Sequence, residues 1–456
     1  MTIGELSDDV HLRIFHSFLD PSPRLWSILV HVCRKWRHIV FGCHKALRLR
    51  LYCTHGTPVL KTLDCWPALP IVVEYGGSSA LNPPSPEDEE NVLAALKRPD
   101  RVNSIHLTVT ESLLEKLSSI EHPFTELEEL VLLSQGGKPL TLPSTFRWNT
   151  RLRKLHSTGV SFCTHQLAFH SIRGIVDLQL HDIDNYLFLT SLPETLSGLA
   201  LQSLSVYVRS VHNLAVAPLS KKRIVRPLVI PSLSRLRYRG KSKYLDSLLA
   251  RLDAPHITDI EITFFNEAQF NISNVIKFID RSEIQELHRP ADILFSEQSA
   301  SISLTHSTPT YLKLQVLCES FSQQLYSMAR ICSRFYALHL RVEKIRISMT
   351  PSRLLYHTDS EDWATLLYSF NHSKSFHRVR DSDPPTETRR HRRLSDGGQE
   401  AVLPVLPKLC ICKFGSRYHP LREAVVSIMV DYRLSDRPIE VEYEQRYTDE
   451  AELGTG

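Results

Sequence analysis

Apolar residues recur along most of the chain in one short pattern: an apolar residue, two variable positions, an apolar residue, one variable position and a third apolar residue. The middle residues of these copies are Ile105, Leu130, Leu155, Leu178, Leu204, Leu236 and Ile260, and further along Ile345 and Leu409. Successive copies in the first group lie about 25 residues apart, which is typical of repeat proteins with one strand per repeat. The pattern predicts short parallel strands that turn their apolar residues into a shared core.

The segments between the predicted strands contain helical patterns, at residues 85–98, 244–255 and 272–282. Each strand is therefore expected to be followed by a helix or loop that closes one coil of a stack. The fold class predicted is α/β, with parallel strands on one side of the stack and helices or loops on its convex side.

The repeat is irregular in several places. The copy at Leu155 is degraded, because Ser157 takes the place of its last apolar residue. Between residues 262 and 342 only poor copies remain, at 284–287 and 311–316. The long step from Ile345 to Leu409 leaves room for one missing repeat.

The first fifty residues have a different, helical pattern. Over residues 5–20 every fourth residue is apolar, at Leu6, Val10, Ile14 and Phe18. Ser7 is suited to cap this helix, and the two acids that follow it suit the helix dipole. A second helix is predicted over residues 25–41, and a third short piece continues to Tyr52. These helices are too apolar to bury all their side chains among themselves, so some face the rest of the chain or a partner.

Several residues in this segment follow one another in a known order. They are Leu6, Asp8-Asp9, Ile14-Phe15, Leu19-Asp20-Pro21, Val32-Cys33 and Trp36-Arg37. This series resembles the F-box motif, with Ser7 where the family commonly has proline. The resemblance implies docking onto a Skp-type adaptor, which links the protein to a cullin–RING ubiquitin ligase. The adaptor contacts it implies are Leu6, Ile14, Phe15, Leu19, Pro21, Val32, Cys33 and Trp36.

A second resemblance extends over residues 1–365 and 400–445. Stretches such as 47–75 and 244–267 look like those of a fungal class of F-box proteins with irregular leucine-rich repeats. The Asn or Cys that usually follows the strand of such a repeat is absent, and Gln135, Ile183 and Phe265 stand in those places.

The domain boundaries predicted from these patterns divide the chain into six parts. They are a helical F-box domain (1–52), a linker and cap (53–100), a leucine-rich-repeat-like solenoid (101–371), a disordered charged loop (372–399), a last repeat with its cap (400–445) and a disordered tail (446–456).

Composition narrows the class of protein. The chain has 456 residues, of which 42% are hydrophobic and 23% charged, values of a globular protein. Its net charge of +4 is too balanced to indicate nucleic-acid binding. No apolar run is long enough to span a membrane, and the first residues are acidic, unlike a secretory signal. Nine scattered cysteines do not predict a disulfide framework. We therefore expect a cytoplasmic or nuclear protein with no membrane partner.

Candidate catalytic and metal-binding groups are weak. The segment His181–Asp184 and the pair Cys410 and Cys412 offer metal ligands, but neither has a second cluster at zinc spacing. Familiar hydrolase, kinase, phosphate-loop and dinucleotide motifs are absent from the sequence. The prediction is a protein that is not an enzyme and needs no cofactor or metal.

Two basic runs, 221–226 and 389–393, are interpreted as solvated loops, with nuclear import or nucleic-acid contact as the alternative. Ser395 follows the second run, and phosphorylation there is hypothesised to order the loop by pairing with the arginines.

The function expected is a substrate receptor of a Skp–cullin–F-box ubiquitin ligase that holds an unknown protein substrate. The alternative is a leucine-rich-repeat scaffold that is not coupled to ubiquitination. Substrate contacts are predicted at strand positions that point away from the core, namely Glu129, Val131, Asp177, Gln179, Arg235, Arg237, Asp259 and Glu261.

Overall fold

The structure is a computed structural model. It describes residues 5–19, 26–42, 48–65, 69–76, 85–120, 122–135, 139–143, 146, 151–162, 174–183, 192, 196, 198–209, 227–265, 272–282, 289–305, 311–337, 342–349, 363, 366, 408–412, 426 and 440–444. The chain divides into two compact units, Met1–Ile224 and Val225–Gly456. Both units combine helices with mostly parallel strands, so the class is mixed α/β, as the sequence predicted.

Three helices form the N-terminal part of the first unit. They are α1 (Asp8–Leu19), α2 (Trp26–Val32) and α3 (Arg34–Gly42). Helix α1 begins directly after Ser7 and has two acids in its first turn, where the helix dipole favours negative charge. The side chains that the three helices bury together are Phe15, Leu29, Val30, Ile39 and Val40.

The single helix predicted over residues 25–41 is two helices in the structure, because the chain breaks at Cys33. The backbone N–H of Trp36 donates to Cys33 Sγ at 3.4 Å, and that of Arg37 donates to the Cys33 carbonyl at 3.1 Å. The Cys33 sulfur thus satisfies the Trp36 amide, which the first turn of α3 leaves without a helical partner, and the Cys33 carbonyl accepts the first bond of the helix. The break lets α2 and α3 each bury an apolar pair against Phe15.

The rest of the first unit is built on a sheet of parallel strands. In order across the sheet, they are β1 (Leu49–Tyr52), β2 (Ile71–Tyr75), β3 (Val102–Val109), β4 (Glu129–Ser134), β6 (Lys154–Thr158), β8 (Asp177–Ile183) and β9 (Ser203–Val208). A separate parallel pair consists of β5 (Leu140–Thr141) and β7 (Val160–Ser161). The first three strand connections contain α4 (Val59–Cys65), α5 (Pro86–Leu96) and α6 (Glu111–Leu117).

The repeat residues of the sequence pattern are neighbours in this sheet. Ile105 pairs with Leu130, Leu130 with Leu155, Leu155 with Leu178 and Leu178 with Leu204. All five are buried. A spacing of about 25 residues therefore returns the chain to the same register on the next strand, as a one-strand repeat requires.

The degraded copy on β6 keeps its place in the core. Ser157 is buried, and its hydroxyl donates to the carbonyl of Val160 at 2.6 Å. A buried hydroxyl without such a partner would be costly. The serine is accommodated because Gly159, directly after β6, has a positive φ that bends the chain and brings that carbonyl into reach.

Two segments differ from their predicted roles. Residues 49–52, placed at the end of the helical domain, form strand β1 and pair with β2. Strand β2 in turn lies within the stretch interpreted as a linker and cap. By contrast, the helix predicted over residues 85–98 is confirmed, and Ser85 and Asp88 form a capping box at its start.

The second unit begins with β10 (Leu228–Val229), β11 (Arg235–Gly240), α7 (Ser242–Leu249), β12 (Leu252–Asp253), β13 (Asp259–Phe264) and α8 (Ser273–Asp280). It continues with β14 (Arg289–Phe295), β15 (Ser299–Thr305), β16 (Tyr311–Leu317), α9 (Phe321–Ala337), β17 (Val342–Met349), β18 (Lys408–Cys412) and β19 (Glu440–Glu444). The order in its sheet is β11, β13, β16, β15, β14, β17, β18 and β19, while β10 pairs with β12.

Strand β15 breaks the parallel arrangement, because it runs antiparallel to both β14 and β16. A tight turn joins β14 to β15, in which the Ser296 amide donates to the Ser299 carbonyl at 2.8 Å. The sequence pattern weakens here for this reason. On β16 the buried residues are Leu312, Leu314 and Val316, so Tyr311, assigned to the poor copy, lies on the opposite face.

Several predicted segments lie outside the described residues. They are the copy at 284–287, the charged loop at 372–399 with Ser395, the tail at 446–456, and the basic runs at 221–226 and 389–393. Among the helices that the structure describes, none has the length and apolar character needed to cross a membrane.

Candidate binding surfaces

Helices α1 and α2 expose four large apolar side chains. On α1, Val10 and Ile14 are each 40% exposed, and on α2, Ile28 and Val32 are 51% and 54% exposed. Residues four apart on a helix lie on one face, so each helix presents an apolar stripe. We call these four side chains the N-terminal apolar surface. Its exposure shows that the three helices fill their own core and still leave apolar area in water.

Phe15 belongs to the core instead. It is fully buried, and the half-buried ring of Trp36 packs edge-on against it at 4.9 Å between centroids. This edge-to-face geometry is the favourable one for aromatic pairs. The two rings hold α1 against α3 and so fix the helix whose outer side carries Ile14.

The residues that the F-box resemblance assigns to adaptor contact differ in exposure. Ile14, Val32 and Cys33 are exposed, Leu6 and Trp36 are half-buried, and Phe15 is fully buried. The side chain of Leu19 and the whole of Pro21 fall outside the described part of the chain. Val10 and Ile28 were not among the predicted contacts, although their four-residue spacing from Ile14 and Val32 is visible in the sequence.

The second candidate surface is the side of the first unit's sheet that faces away from its core. We call it the first polar face. Its central side chains are Glu74, His106, Glu129, Val131, Lys154, His156, Asp177, Gln179 and His181. The strand register places Glu74 beside His106, and His106 beside Val131. The four predicted substrate contacts of this unit, Glu129, Val131, Asp177 and Gln179, are thus brought together on β4 and β8.

A histidine between two carboxylates dominates this face. His106 Nδ1 lies 3.6 Å from Glu74 Oε1, and its Nε2 lies 3.5 Å from Glu129 Oε2. Bonding to Glu129 and then to Glu74 outweighs the partial burial of the ring and raises the pKa of His106 to about 9. The charged imidazole in turn lowers the pKa of both carboxyls. Arg50, 2.9 Å from Glu74, extends the charge pairing to β1.

Ser104 lies close to this histidine, and the group superficially has the parts of a serine hydrolase. The distance from Ser104 Oγ to His106 Nε2 is 3.0 Å. A general base must accept the serine proton, however, and a histidine with a pKa near 9 is already protonated at neutral pH. Ser104 is also almost fully buried. The serine therefore accepts a bond from the imidazolium and passes one to Glu129, which stabilises charge and does not activate a nucleophile.

Two further histidines on this face are neutral. His156 Nε2 lies 3.3 Å from His181 Nδ1, and the His181 ring stacks on Tyr207 with 4.0 Å between centroids. Burial lowers the pKa of His156, and burial together with the neighbouring His156 lowers the pKa of His181 to about 4. Within the described residues, no group of three His, Cys, Asp or Glu side chains is placed to hold a metal ion.

The third candidate surface is the corresponding side of β11, β13 and β16 in the second unit. We call it the second polar face. Arg235 Nε contacts Asp259 Oδ2 at 2.7 Å. Glu261 lies between two bases, 3.6 Å from Arg237 Nε and 3.3 Å from Lys313 Nζ. The predicted contacts Arg235, Arg237, Asp259 and Glu261 are therefore gathered here, and each is paired with an opposite charge.

Arg239 completes the arginine column on β11. Its guanidinium lies over the ring of Phe265, 5.7 Å from the centroid, which is within cation–π range. Arg239 and Lys313 were missed as site residues, although both alternate with buried apolar neighbours and so carry the same signal as the residues chosen. His106 was also missed, although it too alternates with buried apolar neighbours along its strand.

Comparison of the chain with protein-family models, with curated proteins and with solved structures finds no match.

Proposed function

We propose that the chain is a substrate receptor of a Skp–cullin–F-box ubiquitin ligase. The observation that carries this proposal is the N-terminal apolar surface on a three-helix unit whose core is already filled. This surface lies within the residues that resemble the F-box motif. The fold proposed is an F-box followed by an irregular leucine-rich-repeat solenoid, supported by the strand register that matches the repeat spacing.

Burial of the N-terminal apolar surface gives an adaptor a reason to bind. Complete burial of an exposed aliphatic side chain contributes about 1.5–3 kcal/mol. Val10, Ile14, Ile28 and Val32 are about half exposed, so covering each contributes about 1 kcal/mol. Four such contacts supply about 4 kcal/mol, and further contacts at the rim must add to this to offset the cost of association.

The mechanism proposed is proximity. The helical unit anchors the protein to the ligase, and the polar strand faces hold a protein substrate near the ubiquitin donor. Holding two reactants together raises their effective concentration without any chemistry by the receptor itself. The outward-facing residues of the parallel strands supply the contacts, because the strands present them in regular rows.

The test is co-purification of a recombinant Skp-type adaptor with the full-length chain. We expect the wild-type chain to retain the adaptor and the double variant Ile14→Glu, Val32→Glu to lose at least tenfold in affinity, since each change places a charge in the buried interface. Leu60→Glu is the matched control, because Leu60 lies on α4 and is 62% exposed. It adds one negative charge outside the proposed surface, where the double variant adds two within it, and it is expected to bind normally.

Circular dichroism and thermal unfolding of all three proteins show whether the variants stay folded. If the folded wild-type chain retains no adaptor, the ligase role is wrong and the protein is a repeat scaffold. If the double variant binds as well as the wild type, the N-terminal apolar surface is not the docking site.

A further inference from the structure

The second polar face carries more positive than negative charge. On β11, β13 and β16 the outward-facing charged residues are Arg235, Arg237, Arg239 and Lys313 against Asp259 and Glu261. The next acid on this side, Asp292 on β14, lies two strands beyond Lys313, about 10 Å away at the usual strand spacing. The pairs described above thus leave a net excess of two positive charges on three adjacent strands.

The unbalanced charge is concentrated at one end of β11. Arg239 has no acidic partner within the described part of the chain, where its guanidinium lies over the Phe265 ring. Glu261 is shared by two bases, so neither Arg237 nor Lys313 has a carboxylate to itself. A further carboxylate can therefore bind at Arg239 without displacing an existing one.

The arginine column matches an extended peptide in its spacing. Arg235, Arg237 and Arg239 alternate along β11, so their side chains leave the sheet at intervals of about 6.6 Å. Alternate side chains of an extended peptide have the same interval. Arginine also binds a carboxylate through two parallel hydrogen bonds, which gives geometric selectivity.

We infer that the second polar face binds an extended segment of a protein that carries carboxylate side chains at alternate positions. Arg239 receives one carboxylate directly, and the next faces Arg237, whose side chain is 42% exposed. The inference deepens the proposed function and rests on it only in naming the bound protein as the substrate.

The size of the charge excess favours a peptide over a nucleic acid. A nucleic-acid interface commonly neutralises about six to ten phosphates. The second polar face has an excess of two positive charges, with Glu261 between two of its bases and Asp259 beside a third, in the path of a continuous phosphate backbone. A peptide avoids these acids because its carboxylates occur only at chosen positions.

The experiment is fluorescence anisotropy with the full-length chain and a fluorescein-labelled octaglutamate. We expect saturable binding that weakens as salt is raised, because exposed charge pairs are screened. Arg239→Gln is expected to weaken binding about fivefold to tenfold, and Arg239→Lys to recover part of the loss. Arg98→Gln is the matched control, since it removes one exposed positive charge from the first unit and should leave the affinity unchanged.

Three results overturn the inference: no octaglutamate binding by the folded chain, equal binding by Arg239→Gln and the wild type, or tighter binding of labelled octathymidylate than of octaglutamate at equal salt. Adaptor co-purification remains a separate measurement. If octaglutamate binds through Arg239 while the adaptor is not retained, the binding surface stands and the ligase role fails.

Discussion

The two polar faces are built alike and differ in how their charges are satisfied. On the first polar face, His106 lies between Glu74 and Glu129. Each carboxylate also has a second base, because Arg50 lies 2.9 Å from Glu74 and Lys154 lies 3.9 Å from Glu129. On the second polar face, bases outnumber acids among the described residues, and there Arg239 contacts an aromatic ring and no carboxylate. The outward-facing side chains of a parallel sheet can therefore have two roles. Charges that pair with one another stabilise the fold, and an excess of one sign is available for binding.

Exposure strengthens this contrast. The paired acids of the two faces are similarly exposed, at 18–32%, and the difference lies in the bases: the side chain of His106 is 33% exposed, whereas those of Arg235 and Arg237 are 51% and 42% exposed. Ion pairs gain strength as water is excluded, while exposed pairs contribute little. We therefore expect substitutions on the first polar face to change stability and substitutions on the second to change binding.

The largest effect is expected from His106→Leu. This change leaves Glu74 and Glu129 without the cation that lies between them. Hydrogen bonds to charged groups contribute more than neutral ones, so the free energy of unfolding should fall by about 2 kcal/mol at pH 7. Urea denaturation measures it. The control is His122→Leu, because His122 is exposed and lies away from the strands. An equal loss in both variants would mean that the charge pairing on the first polar face is not stabilising.

The pH dependence of the same site gives a second prediction. The pKa of His106 is raised from about 6.5 in an unfolded chain to about 9 in the fold. The folded state therefore binds more protons between these values, and the stabilisation is fully present below pH 6.5 and lost as the pH rises through 9. The difference in unfolding free energy between wild type and His106→Gln should be about 1–2 kcal/mol at pH 6 and vanish near pH 10. A difference independent of pH would contradict this assignment.

The sequence predicted the register of the first unit well, and the reason is physical. Ile105, Leu130 and Leu155 must each face the core, and a strand shifted by one residue would turn them to solvent. The repeat spacing therefore fixes which residues become neighbours, even across the copy that contains Ser157. It also predicts which residues face outward, which is why the chosen contacts lie on the two polar faces.

Other features depend on contacts between residues that the alternation of apolar and polar positions does not reveal. The pattern shows that Glu129 and Arg235 face outward, but not that each has an opposite charge beside it. The break between α2 and α3 depends on the cap formed by Cys33. The sequence does not show this break, because the helical apolar pattern continues through Cys33 without interruption. The repeat pattern does not predict strand β15, because an antiparallel hairpin needs only a tight turn, whereas the repeat places successive strands one full coil apart.

A smaller effect of opposite sign is expected at His181. Its pKa is lowered to about 4, mainly by burial, so the folded state binds fewer protons than the unfolded state between pH 4 and 6.5 and stability falls as the pH falls through this range. His181→Phe keeps the ring stacked on Tyr207 and removes the titration. The variant should gain about 1 kcal/mol relative to wild type as the pH is lowered from 7 to 4.5. Urea denaturation at both pH values measures this gain, and a relative loss of stability in acid would show that His181 is not held neutral by the fold.

The smallest effect on stability, and the sharpest contrast between the two faces, is expected from Asp259→Asn. Its partner Arg235 is half exposed, so the free energy of unfolding should change by only about 0.5 kcal/mol. Removal of this carboxylate raises the charge excess of the second polar face, so octaglutamate should bind about threefold more tightly. Glu129→Gln is the matched change on the first polar face, and it should lower stability while leaving octaglutamate affinity unchanged. If the two variants behave alike in both measurements, the two faces do not differ in their roles in stability and binding. The loss of one carboxylate would then have the same consequence whether its partner is His106 or Arg235.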